Sequence, residues 1–129
     1  MKFVQKNMNF AERKEDMYAM LRKLMDEEKV YTLHGLDRKQ LADMLGTNEK
    51  YLHDLIKEFT GLPCAEYITS LRLDHACRLL ADADNKHTVD EIADYSGFSS
   101  RKTFYRQFSK HYNISPAQYR KENHKNPLM

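Results

Sequence analysis

The sequence predicts an all-α protein of about seven helices, built as two similar halves joined by one long helix. Three observations predict it. The 129 residues include only four Gly and three Pro, and these fall where helices should stop or start. No stretch sustains the period-two alternation of a half-buried strand. Finally, the order of caps, apolar positions and turn residues in 37–67 returns in 88–119, at a spacing of 51 and then 52.

Residues 10–28 place Met17, Leu21, Leu24 and Met25 near one face, with Glu28 beside them. The i, i+4, i+7, i+8 order is that of an amphipathic helix. Asp37 reads as an N-cap with Gln40 three residues on, a capping box. The helix it opens carries Leu41, Ala42, Met44 and Leu45 and stops at Gly46. Asn48 caps the next helix, which carries Leu52, Leu55, Ile56 and Phe59 and stops at Gly61. Residues 64–82 then read as one uninterrupted amphipathic helix with Ile68, Leu71, Leu73, Ala76, Leu79 and Leu80.

The second half repeats the first. Thr88 caps, with Glu91 at the third helical position. Ile92, Ala93, Asp94 and Gly97 return Leu41, Ala42, Asp43 and Gly46 at a spacing of 51. After one inserted residue, Phe104, Phe108 and Tyr119 return Leu52, Ile56 and Tyr67 at a spacing of 52. Asn113 falls where Gly61 fell, and Asn is the non-Gly residue best tolerated in the left-handed conformation. Pro116 starts the last short helix, where a missing N–H costs nothing. Each half is a short helix, a tight turn with Gly and a longer helix, which is the helix-turn-helix pattern. Tyr67 and Tyr119 are expected to close the two cores. The joining helix, roughly 28 Å long at about 1.5 Å per residue, is close to the ~34 Å between successive major-groove faces of B-DNA.

Composition narrows the function. A hydrophobic content of 41% and a charged content of 31% suit a modest core. The longest apolar run, Met17 to Leu21, falls far short of the ~20 residues that span a bilayer. The start of the chain has no apolar signal region, so a cytoplasmic location is expected. Cys64 and Cys77 on one helix would sit roughly 20 Å apart, far beyond disulfide reach, so two free thiols are expected. The six His show no zinc-ligand spacing. There is no Gly-rich phosphate loop, no nucleophile motif and no paired carboxylates in an obvious cleft, so no metal, no cofactor and no enzymatic activity are expected. Met and aromatic residues at helical spacing are expected to fill cores rather than line a ligand pocket.

The net charge of +2 is a cancellation. Residues 1–50 hold ten basic and nine acidic residues, 51–100 four and nine, and 101–129 seven and one. An acidic middle therefore precedes a basic end, an asymmetry that suits a polyanion-facing surface or a solvated face.

The stretch Ile92-Ala93-Asp94-Tyr95-Ser96-Gly97-Phe98-Ser99-Ser100, then Thr103-Phe104-Tyr105-Arg106-Gln107-Phe108, then Ile114-Ser115-Pro116-Ala117-Gln118-Tyr119-Arg120, closely resembles the C-terminal signature of the AraC/XylS family of transcription regulators. Leu41 through Gly46, Leu52, Gly61, Tyr67, Leu71-Arg72-Leu73 and Leu79-Leu80 resemble that family's first helix-turn-helix and linker helix. The resemblance covers about residues 13–122. It implies a DNA-binding domain with a first helix-turn-helix at about 37–60, a linker helix at about 64–82 and a second helix-turn-helix at about 88–112. Residues 1–12 would be an N-terminal extension, too short to sense a ligand, and 123–129 a tail.

Carried over residue by residue, the second groove-entering helix is Ser100 to Tyr112. Arg101, Lys102, Tyr105 and Arg106 become its base-reading residues, and Ser99, Ser100 and Lys110 its phosphate contacts. Arg101 and Arg106 suit bidentate contacts to guanine. In the first half the equivalent base-reading positions are Lys50, His53 and Asp54, with Asn48 and Lys57 as phosphate contacts. Asp54 departs from the family's frequent basic residue, and its carboxylate would be repelled by phosphates unless it accepts from cytosine N4. Lys57 is expected to neutralise it as an i, i+3 pair. The second half is therefore expected to dominate. The partners expected are double-stranded DNA and RNA polymerase, with no membrane contact and a monomer on DNA unless a further domain dimerises it. The alternative is a protein-interaction adaptor, using Asp82, Asp84, Asp90, Glu91 and Asp94 against a basic partner.

Overall fold

The structure, a computed structural model, describes residues 10–124. Among these, seven α-helices occur and no strand. They are α1 (Phe10–Asp26), α2 (Arg38–Leu45), α3 (Glu49–Thr60), α4 (Cys64–Ala81), α5 (Val89–Tyr95), α6 (Arg101–Tyr112) and α7 (Pro116–Asn123). The all-α expectation holds. One 3₁₀ turn, Val30–Thr32, had no sequence signal, because Lys29 supplies the left-handed residue (φ 50°) before it in place of Gly. Residues 1–9 of the expected N-terminal extension, and 125–129 of the expected tail, lie outside the described residues.

The chain divides into two compact units between Thr69 and Ser70, within α4. In the first unit, α1 contributes Leu21 and Met25, α2 contributes Leu41 and Leu45, and α3 contributes Leu52, Leu55 and Ile56, all buried. Tyr67 closes this aliphatic core, and its hydroxyl accepts from Arg22 Nη1 at 3.0 Å. Phe59 lies at the margin, stacked on Tyr18 with centroids 4.3 Å apart. Met44, grouped by sequence with the apolar set, instead faces outward at 43% exposure, as does its counterpart Tyr95 at 49%.

The second unit is built on aromatic residues. Phe98, Phe104 and Phe108 pack with Leu73, Ala76 and Leu80 of α4 and Ile92 and Ala93 of α5. Tyr112 and Tyr119 lie against Phe108, with centroids 4.7 and 5.6 Å away. Ser96 is fully buried, and its Oγ is 2.9 Å from His75 Nδ1 on α4. Arg120 of α7 donates to the His87 and Asn85 carbonyls at 2.6 and 2.8 Å, tying the last helix to the approach of α5. Cys64 and Cys77 are free thiols on α4.

The two helix-turn-helix frames agree hydrogen bond by hydrogen bond. Asp37 and Gln40 form a reciprocal capping box at 2.8 and 3.0 Å, and Thr88 and Glu91 form its counterpart at 3.0 and 2.8 Å. After α2, Gly46 N–H donates to Asp43 O and Thr47 N–H to Ala42 O. After α5, Gly97 N–H donates to Asp94 O and Phe98 N–H to Ala93 O. These are the same helix-ending bonds at a spacing of 51, with left-handed Gly46 (φ 71°) and positive-φ Gly97 (φ 106°) at the pivots. The longer helices end alike, at Gly61 (φ 78°) and Asn113 (φ 63°).

Two tests follow from these turns and caps. A Cβ at Gly46 would meet nothing within 4 Å, so Gly46→Ala should cost about 1–2 kcal/mol from backbone conformation alone, read by urea denaturation. The Glu91 carboxylate is held below its ordinary value of 4.5, chiefly by the Thr88 N–H it accepts. A depressed carboxylate stabilises above its unfolded value and loses that contribution as pH falls through its folded one. The stability difference between the native chain and Glu91→Gln should therefore shrink below about pH 4.5.

Candidate nucleic-acid interface

In the second unit the candidate surface is the outer face of α6. Ser100 caps the helix, its Oγ accepting Thr103 N–H at 3.1 Å. Phe104 and Phe108 are both 0% exposed, and burying that stripe turns Arg101, Lys102 and Arg106 to solvent. Ser99, Ser100 and Lys110 are exposed beside them. The Ser100 hydroxyl proton is still available to an acceptor, since capping uses only its oxygen as acceptor.

Two of the sequence-predicted readers are already engaged. Arg101 Nε lies 3.3 Å from Asp90 Oδ2, and the Tyr105 hydroxyl donates to Asp90 Oδ1 at 3.0 Å. Tyr105 is half-buried rather than fully exposed. Burial, reinforced by the bond to Asp90, raises its phenol above the ordinary value, so at neutral pH it stays protonated and a donor. Asp90 carries no reader role in the sequence, where it figures only among the acids of the adaptor alternative. Its counterparts lie 11 and 15 residues away, across a turn whose angle a linear pattern does not specify.

In the first unit the equivalent surface is α3. Asn48 Oδ1 accepts Tyr51 N–H at 2.8 Å, leaving its amide N–H groups as donors. Lys50, Asp54 and Lys57 are exposed and His53 is half-buried. The expected neutralisation of Asp54 by Lys57 is replaced by a different pair: Lys50 Nζ donates to Asp54 Oδ2 at 3.1 Å, one turn back. Glu49, the positional counterpart of Arg101, lies 3.3 Å from Arg38 Nε. That acidic residue at the head of α3 is absent from the sequence-predicted set, although the 52-residue repeat aligns it with Arg101.

His53 stands where the second unit has Tyr105. Its Nδ1 is buried with no hydrogen-bond partner among the described residues. It borders an open cleft of about 450 Å³ lined also by Leu36, Arg38, Glu49, Pro63 and Cys64. The shorter imidazole does not reach across as the phenol does. Among the described residues no group of His, Cys, Asp or Glu could hold a metal, and no helix is long and apolar enough to cross a membrane.

The comparisons agree with this geometry. A helix-turn-helix domain family model matches residues 41–122. Probable transcription factor PqrA of Proteus vulgaris is 35% identical over 86 residues, covering 67% of this chain and 69% of that protein. The melibiose operon regulatory protein of Escherichia coli is 35% identical over 87 residues, which is 67% of this chain but only 28% of that protein. The chain thus matches about two thirds of the first relative and less than a third of the second. Among solved structures, the C-terminal domain of the two-component response regulator yesN from Fusobacterium nucleatum superposes with a TM-score of 0.67 at 29% identity, covering 83% of this chain and 96% of that one. The chain belongs to the AraC/XylS family of helix-turn-helix, DNA-binding transcription regulators.

Proposed function

We propose that the chain regulates transcription by inserting α6 and α3 into adjacent major-groove segments of one DNA site, with α6 supplying most of the affinity and specificity. The observation that carries this reading is the difference in charge between two equivalent helices. The outer face of α6 presents Arg101, Lys102 and Arg106, whereas α3 presents Glu49, Lys50 and Asp54 with its lysine paired to its aspartate. Phosphate contacts dominate affinity and call for net positive charge, which α6 has and α3 lacks.

In this reading Arg101, Lys102, Tyr105 and Arg106 face base edges from α6, and Lys50, His53 and Asp54 do so from α3. Asn48, Lys57, Ser99, Ser100 and Lys110 hold phosphates. The DNA-binding domain spans about 13–122, with α4 as the linker between heads. The chain acts in the cytoplasm as a monomer on an asymmetric site, contacts RNA polymerase and catalyses no reaction. The adaptor alternative is less favoured. Asp90 is held by Arg101 and Tyr105, Glu91 by the Thr88 cap, and Asp82 Oδ1 by the Asp84 N–H, so at least three of its five acids are engaged within the unit.

Binding should weaken steeply with salt, log K falling about 0.9 per neutralised phosphate. Arg106→Ala should cost about 1–3 kcal/mol and relax preference at one base pair, read by competition between single-base variants of a site selected from random DNA. Unchanged binding by the Arg101→Ala, Arg106→Ala double variant overturns the groove assignment. Asp54→Asn should strengthen binding modestly with little change in base preference if α3 only docks. Loss of preference at a C·G pair would instead assign Asp54 a reading role.

A further inference from the structure

We propose that Asp90 is a positioning residue for base recognition: its carboxylate, fixed by Tyr105, holds Arg101 by the Nε edge and leaves the two terminal amino groups of the guanidinium free to meet a base. The inference rests on the reading of α6 as a groove-entering helix. It adds to that reading a residue on α5 and a changed role for Tyr105.

The geometry is a three-residue clamp. Arg101 and Tyr105 lie one turn apart on α6, and both converge on the single carboxylate of Asp90 in the first turn of α5. The Tyr105 hydroxyl donates to Oδ1 at 3.0 Å, and Arg101 Nε lies 3.3 Å from Oδ2. One oxygen therefore serves each partner, and neither is shared. The arginine side chain remains 71% exposed. An ion pair this exposed adds little to stability. What it does is restrict a long, flexible side chain before DNA arrives, and ordering of that kind otherwise weakens binding.

The edge that is held matters. A guanidinium carries five N–H donors in a planar fork. Nε is the guanidinium nitrogen that lies at ion-pair distance from Asp90, so the terminal Nη1 and Nη2 groups still present parallel donors, the arrangement that matches guanine O6 and N7. The clamp therefore leaves the reading edge of Arg101 vacant. It also changes Tyr105: a phenol has one proton, and here it is directed at Asp90, so Tyr105 supports the reader instead of donating to a base.

The first unit is an internal control. There the counterpart of Asp90 is Lys39, which pairs with Asp43 on its own helix, and Glu49, the counterpart of Arg101, is met instead by the neighbouring Arg38 of α2, through Nε at 3.3 Å. The arginine is then on the wrong helix to read bases, and the residue in the Tyr105 position is His53, whose buried Nδ1 lacks a partner among the described residues. The clamp exists only in the half whose outer face is basic.

The test uses the chain and a DNA site selected from random sequence, with every single-base variant as competitor. Arg101→Ala should flatten preference at one base pair by about tenfold. Asp90→Asn and Asp90→Ala should flatten the same base pair by most of that factor, leave the base pair read by Arg106 unchanged, and have no further effect in the Arg101→Ala background. Tyr105→Phe should give a partial loss at that same base pair. Overall affinity is not the readout, because removing a carboxylate near phosphates raises it for any sequence. Thermal melts of each variant identify any that fail to fold, and Asp90→Asn keeps the shape of the α5 first turn. The proposal is overturned if both Asp90 variants keep full preference while Arg101→Ala loses it, or if they flatten all positions alike. It also falls if Arg101→Ala changes no preference. In that case Arg106→Ala still reports separately on whether α6 enters the groove.

Discussion

The burial of Phe104 and Phe108 fixes the rest of the second unit. Two aromatic side chains one turn apart, each removing on the order of 150–250 Å² from water, set the rotation of α6 about its own axis. No turn of that axis keeps both rings in the core and moves Arg106 inward. The turn at Gly97 must then deliver α6 at the angle those rings require, and Ser96, locked to His75 of α4, anchors that turn from behind. Leu52 and Ile56 do the same for α3 in the first unit. Which residues a groove-entering helix offers to DNA is thus decided by what its opposite face buries.

Features that depend on near neighbours in sequence were readable from it. The two capping boxes, the cap at Asn48, the pivots at Gly46 and Gly61 and the left-handed Asn113 each rest on residues within a few positions of one another. The repeat added a second reading of each. The features that escaped depend on how helices meet. Lys29 takes a left-handed conformation with no Gly to announce it, because Val30 and Tyr31 are drawn into the core beyond it. Met44 fits the helical apolar pattern but lies at the edge of a stripe already filled by Leu41 and Leu45. Asp54 has a lysine on either side at helical spacing, and only side-chain geometry selects Lys50. The clamp on Arg101 joins two helices across a turn, so its partners are brought together by an angle that residue types alone do not encode.

Similar frames do not make similar surfaces. The same hydrogen bonds end α2 and α5, and the same caps begin α3 and α6. Yet Glu49 stands where Arg101 stands, His53 where Tyr105 does and Asp54 where Arg106 does. Backbone geometry is set by caps, pivots and core positions, and the outward positions are released from that role. A family that keeps the frame can therefore assign strong recognition to one half and a supporting contact to the other without altering either fold.

The two cores also differ in kind, aliphatic in the first unit and aromatic in the second. A chain that carries two copies of one motif risks pairing a helix from one copy with the partners of the other, a characteristic failure of repeated architectures. Leu and Ile side chains do not fill the volume shaped for Phe98, Phe104 and Phe108, and mismatched volumes leave voids or strain. The divergence of the two interiors thus acts as an address label during folding, directing each helix to its own half even though the turns that connect them are interchangeable.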